Sequence, residues 1–82
     1  MSNYIEASVI ASFDTKGNIM PLYFRSNNSA PIKVSVKSTR TGASFIIFSC
    51  EYYLEERDEI KTITLEYDID NHVWNVVTDL FF

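Results

Sequence analysis

"YDIDNHVW", running from Tyr67 to Trp74, decides how the rest of the chain is read. Asp68, Asp70 and His72 fall at every second position, a spacing that a metal site and a chain reversal can both use. On either side apolar residues alternate: Leu65 and Tyr67 before, Trp74 and Val76 after. Alternation is the period of a half-buried strand, and Asp and Asn are turn formers that tolerate φ > 0. The stretch therefore reads as a hairpin with Asp70-Asn71 as a two-residue type I′ turn. That register sets Ile69 opposite His72, Tyr67 opposite Trp74 and Leu65 opposite Val76. Asp68 then meets Val73 and Glu66 meets Asn75, so the apolar residues gather on one side. A calcium loop does not fit. Counting from Asp68, the sixth position is Val73 and not Gly, and the twelfth is Asp79 and not Glu. Asp70 is expected to turn the chain, and no metal is expected.

Working towards the N-terminus, the same logic extends to two more turns. In "EERDE", Arg57-Asp58 at the tip pairs Tyr52 with Ile63, Cys50 with Leu65, Phe48 with Tyr67 and Ile46 with Ile69. In "RTGA", the loop Arg40-Thr41-Gly42 with a G1 bulge pairs Val36 with Ile46, Val34 with Phe48 and Ile32 with Cys50. All three turns send their apolar residues to the face that carries Trp74, and such agreement favours a single fold. A first hairpin is built on "DTKGN", with Gly17 in the bulge position. It pairs Phe13 with Ile19, Ala11 with Pro21 and Val9 with Tyr23. Its other face, with Ile10, Met20, Leu22 and Phe24, is apolar too, so both sides call for cover. Pro21 places its strand at an edge or a bulge.

These readings give six strands, at about 5–13, 19–25, 32–39, 43–54, 60–69 and 72–78. The expected fold is all-β in a single domain: a small six-stranded antiparallel barrel or compact sandwich, with the N-terminal hairpin packed on a four-stranded meander. Composition agrees. The chain is 46% hydrophobic and 22% charged, a globular balance, and 82 residues allow one domain that buries only about two thirds of its unfolded surface. A net charge of −4 argues against general nucleic-acid or anionic-membrane binding. A single cysteine excludes an intrachain disulfide. "MSNYIEASVIASF" has neither the basic start nor the apolar run of a signal peptide, and no stretch is long enough to span a membrane. A reducing, cytoplasmic compartment is expected.

The stretch "VIASFDTKGNIMPLYFR", Val9 to Arg25, resembles the opening of a group of short, uncharacterised bacterial proteins common in Gram-positive genomes. They begin with a similar strand, an Asp-x-x-Gly turn and a strand with Pro near its start, and they tend to end on a Trp-containing strand, as "NHVWNVV" does here. The middle departs from them, since their Gly-rich loop is reduced to "RTGA". The resemblance implies a small all-β bacterial protein and brings no activity or binding residues.

The side chains that could carry chemistry favour structural roles. His72 lacks a nearby nucleophile. Cys50, flanked by Ile32 and Leu65 in these registers, reads as a small buried hydrophobe. Glu51, Glu55, Glu56, Asp58 and Glu59 surround an exposed tip and read as a solvated loop. With two glycines in all, a phosphate-cradling loop is nearly excluded, and no nucleophile elbow or dinucleotide fingerprint is present. No catalysis, cofactor or small-molecule substrate is expected. Phe45, Ile47, Tyr53, Val73 and Val77 point away from the core in these registers, and "DLFF" adds Leu80, Phe81 and Phe82. So much outward apolar surface calls either for the tail to fold back or for a protein partner, including a second copy. Phe45, Ile47, Tyr53, Leu80, Phe81 and Phe82 are thus the expected interaction surface. The alternative is a single-stranded nucleic-acid surface of Tyr23, Arg25, Lys33, Lys37 and Arg40, basic side chains beside an aromatic.

Overall fold

A computed structural model describes residues 2–25 and 30–79. Eight strands run in chain order: β1 (Ser2–Glu6), β2 (Ser8–Phe13), β3 (Ile19–Arg25), β4 (Ile32–Lys33), β5 (Ser35–Thr41), β6 (Phe45–Leu54), β7 (Glu59–Asp68) and β8 (Val73–Asp79). They form two antiparallel sheets, one ordered β1-β8-β7-β6-β5 and the other β2-β3-β4. The fold is all-β and sandwich-like, and the sheets do not close into a barrel. No helix among the described residues is long and apolar enough to cross a membrane.

Two of the six expected strands are each divided. The segment expected at 5–13 breaks at Ala7, so that β1 pairs with β8 while β2 pairs with β3. The segment expected at 32–39 breaks at Val34, so that β4 pairs with β3 and β5 with β6. Strands that switch sheets make the corners of such packings. Each corner is held by a backbone hydrogen bond, Ala7 N–H to the Trp74 carbonyl at 3.0 Å and Val34 N–H to the Leu22 carbonyl at 3.0 Å. The meander β5 to β8 is as expected, but β1 adds a fifth strand to it and β4 a third to the hairpin.

The core lies between the sheets. Phe24, Val34, Phe48, Cys50 and Leu65 are buried, and Val9, Ile19, Ile32, Val36, Ile46, Tyr52, Ile63, Tyr67, Trp74 and Val76 pack around them. Trp74 lies between aromatic neighbours, its ring centre 5.7 Å from Phe48 and 5.0 Å from Tyr67, separations at which such rings attract. Phe24 meets Tyr52 edge-on at 5.4 Å across the sandwich.

The registers show where turn chemistry was read correctly and where it was not. Between β7 and β8 the pairs Leu65–Val76, Glu66–Asn75, Tyr67–Trp74 and Asp68–Val73 are as expected. The turn itself is different. It is a four-residue loop, Ile69 to His72, closed by His72 N–H on the Asp68 carbonyl at 2.8 Å, with φ of 57° at His72. Asp70 and Asn71 are not at positive φ, so this is not a type I′ turn. Between β6 and β7 the loop is Glu55 to Asp58, again with its last residue left-handed (Asp58, φ 51°). It pairs Cys50 with Ile63 and Phe48 with Leu65, a slip of two residues from the expected partners. An even slip leaves every side chain on its face, which is why the expected core survives.

The "RTGA" reading fails. Thr41 pairs with Ile46 and Val36 with Cys50, the irregularity falls between Val36 and Ser38, and Gly42 does not have positive φ. A Cβ on Gly42 would come within 3.2 Å of the Phe45 ring, so close approach and not a bulge explains this glycine. Ile32 pairs with Phe24, not with Cys50. In the first hairpin Gly17 is left-handed (φ 86°) and Phe13–Ile19 and Ala11–Pro21 pair as expected. A register shift between Ile10 and Ala11 then sets Val9 opposite Phe24 and Ile10 opposite Tyr23. The bulge beside Pro21 reverses the faces beyond it, so Phe24 enters the core and Tyr23 turns out.

Candidate functional site

The side chains singled out around Asp68 serve the loop. Asp68 Oδ1 accepts from the backbone N–H of Asp70 at 3.1 Å and of Asn71 at 3.0 Å, and Oδ2 accepts from Asn71 Nδ2 at 2.9 Å. These bonds hold its carboxyl below the ordinary 3.8, the Asn71 side chain contributing most, with a smaller part from the nearby His72. Asp14 repeats the arrangement in the first hairpin. Its Oδ1 accepts from the N–H of Lys16 and Asn18, both at 2.8 Å, and its Oδ2 from Asn18 Nδ2 at 2.8 Å. His72 is exposed in its loop, not paired with Ile69, and its Nδ1 lies 3.1 Å from the Tyr67 hydroxyl. Among the described residues no three His, Cys, Asp or Glu side chains converge on one point.

Cys50 is buried, its thiol 3.7 Å from the Phe48 carbonyl, and burial pushes the thiol up to about 11. The acidic residues spread over one end of the large sheet. Glu51 meets Lys37 at 3.7 Å and Glu59 meets Lys61 at 3.8 Å, both exposed pairs of little weight. Asp58 accepts a hydrogen bond from the Tyr53 hydroxyl, which holds that phenol above its usual range. Glu51, Glu55 and Glu56 also line an open groove with Lys33, Pro31 and Tyr52.

The apolar surface is the more informative feature. On the outer face of the large sheet Phe45 and Tyr53 are exposed, while Ile47, Val73 and Val77 are half-buried. Arg40, Glu66 and Asn75 share the register row of Ile47, so polar residues interrupt this face. Ile60, opposite Tyr53, is 68% exposed and belongs to the same surface. The two-residue slip in the β6–β7 register changes its partner, not its face. Leu80, Phe81 and Phe82 lie outside the described residues.

The small sheet carries a second apolar surface. Ile10, Met20, Leu22 and Tyr23 are exposed on its outer face, and Phe13, at the hairpin end, is 64% exposed. The sequence showed both faces of this hairpin to be apolar. Among the described residues only one is covered. Of the basic residues, Lys33 pairs with Tyr23, and Arg25 with Ser8, on this outer side. Lys37 and Arg40 belong to the other sheet, so the basic set is divided.

No protein-family model, no characterised protein and no solved structure matches the chain.

Proposed function

We propose that this is a non-catalytic protein that acts through protein contacts and associates with itself. The supporting observation is the balance of apolar residues. Ile10, Phe13, Met20, Leu22, Tyr23, Phe45, Tyr53 and Ile60 are large and exposed, against five buried apolar residues in the core. A small monomer rarely leaves so much apolar surface in water, and its removal is worth about 25 cal/mol per Å². The cytoplasmic, bacterial setting implied by the Val9–Arg25 resemblance is part of the same reading. Sedimentation over a range of concentrations tests it. A mass above the 9.5 kDa of one chain is expected, and a monomer at every concentration overturns self-association.

A second reading has one observation in its favour, the grouping of Tyr23, Lys33 and Arg25 on one outer face. An aromatic beside two cations is the composition of a single-strand platform. Titration with single-stranded DNA at low salt would show binding that weakens as salt rises. Absence of binding at low salt removes this reading.

A further inference from the structure

We propose that β2 is the seam of a two-fold dimer, in which β2 of one copy pairs antiparallel with β2 of a second and joins two three-stranded sheets into one of six strands. The proposal rests on the self-association reading above and names its surface.

Among the described residues the sheets have four edge strands, β1 and β5 in the large sheet and β2 and β4 in the small one. Edge strands invite pairing and are usually blunted by shortness, charge, proline or a bulge. β4 has two residues. β5 carries Lys37 at its irregularity and Arg40 beyond it. β1 carries Glu6. β2, "SVIASF", has six residues with no charge, proline or glycine, and the bulge at Ile10/Ala11 puts its extra residue, Leu22, on β3 and leaves β2 regular.

Among the described residues, the backbone groups on its open side have no partner. Asp14 N–H points across the hairpin to the Asn18 carbonyl, and along a strand alternate residues point the same way. Ser8, Ile10 and Ser12 therefore direct their N–H and C=O towards β3. Val9, Ala11 and Phe13 direct theirs to the opposite side, where Ala7 makes the last bond to β8. Beyond that bond β8 gives way to the Ile69–His72 loop, and no described strand pairs with this side of β2.

A second copy of β2 satisfies all three residues in one register. A two-fold axis perpendicular to the sheet through Ala11 sets Ala11 against Ala11, and Val9 of each copy against Phe13 of the other. Ile10 then faces Ser12 on the outer side. The pairing is self-complementary by symmetry and contains no like charges. It brings the exposed Phe13 ring alongside Val9 and merges the two Ile10–Met20–Leu22 surfaces. Asp14 of one copy comes opposite Ser8 of the other, whose neighbour on β3 is Arg25, so an anion and a cation lie about two strand spacings apart at each end.

Amide hydrogen exchange at low and high protein concentration tests the seam, together with sedimentation of Ser12→Lys and, as a control on the other sheet, Ile60→Lys. In the natural chain the Val9, Ala11 and Phe13 amides should gain protection as the dimer forms. Ser12→Lys, which sets a cation against Ile10 of the other copy on both sides of the axis, should raise the dissociation constant by roughly tenfold or more while Trp74 emission stays unchanged. Ile60→Lys should leave it unaltered. A dimer whose three amides exchange as fast as in the dilute chain, or one lost with Ile60→Lys but not with Ser12→Lys, overturns the seam and leaves self-association standing. Protection independent of concentration also overturns it, because the chain's own residues then cover the edge. A monomer at all concentrations overturns both.

Discussion

Cys50 shows how a single side chain is governed by its surroundings. In water it would be the most reactive group in the chain. Here, with the thiol pushed up to about 11, roughly one in a thousand is ionised at pH 8, and Phe48, Leu65 and Ile63 lie around its place in the ladder. Alkylation of the native protein should therefore be slow and should rise in step with unfolding in urea, which mass spectrometry of the labelled chain would follow. A fast native reaction would mean that the core opens on its own. Asp14 and Asp68 illustrate the opposite case, exposed groups whose charge is in use. Both carboxyls titrate below the usual 3.8 when folded. The unfolded chain takes up these protons first, so their contribution to stability is present above the unfolded value and is lost as pH falls through the lower folded values. Urea midpoints measured between about pH 2 and pH 6 should fall at the acid end. In Asp14→Asn/Asp68→Asn the fall should be shallower, and an equal fall would place the acid sensitivity elsewhere.

At the scale of elements, turns and not strands were the hard part. Six strand segments were legible because apolar residues alternate along them, their division into eight strands was not, and the β7–β8 register was right although its turn type was wrong. Symmetric growth of the loop by Ile69 and His72 keeps Asp68 opposite Val73. What could not be read was the left-handed conformation of Asp58 and His72, since neither is a glycine and His and Asp only modestly favour it. The bulge that exchanges Tyr23 and Phe24 was signalled by Pro21, but its position one residue later was not. Both sheet crossings were missed because Ala7 and Val34 sit within runs that alternate without a break. Of the expected interaction surface Phe45 and Tyr53 are exposed; Ile60 shares their face in either register, and the two-residue slip sets it opposite Tyr53. The two glycines separate two kinds of constraint. Gly17 needs its positive φ, and nothing lies within 4 Å of an added Cβ. Gly17→Ala should cost about 1–2 kcal/mol through backbone strain alone. Gly42→Ala meets the Phe45 ring at 3.2 Å, which is partly in solvent and can yield, and the Phe45 carbonyl at 3.4 Å, an ordinary contact, so its cost should stay under about 1 kcal/mol. Chemical denaturation of both variants checks the order, and the reverse order would contradict the loop assignments.

For the molecule as a whole, stability depends on two thin layers meeting at the corners. Val34 is buried at one corner, donates to Leu22 and shares the core with Phe48 and Phe24. Val34→Ala removes two methyl groups, about 1.6 kcal/mol of burial before any cavity term. Leu65→Ala, at a position with 0% exposure, should cost about 2–5 kcal/mol. A domain of this size has only a modest margin, so Leu65→Ala should leave much of the chain unfolded at room temperature, as read by Trp74 emission. A well-folded Leu65→Ala protein would show that the sandwich is held mainly by something other than its centre.

The pairing of β1 with β8 has a consequence for how the molecule is made. Ser2 lies across from Asp79 and Glu6 from Asn75, so a segment is matched to one synthesised much later. The hairpins can zip as they emerge, but residues 2–6 must wait for 75–79 before they have anything to bond. During synthesis residues 2–6 therefore stay unmatched until 75–79 have been made, and long-range closure sets the pace of that ladder.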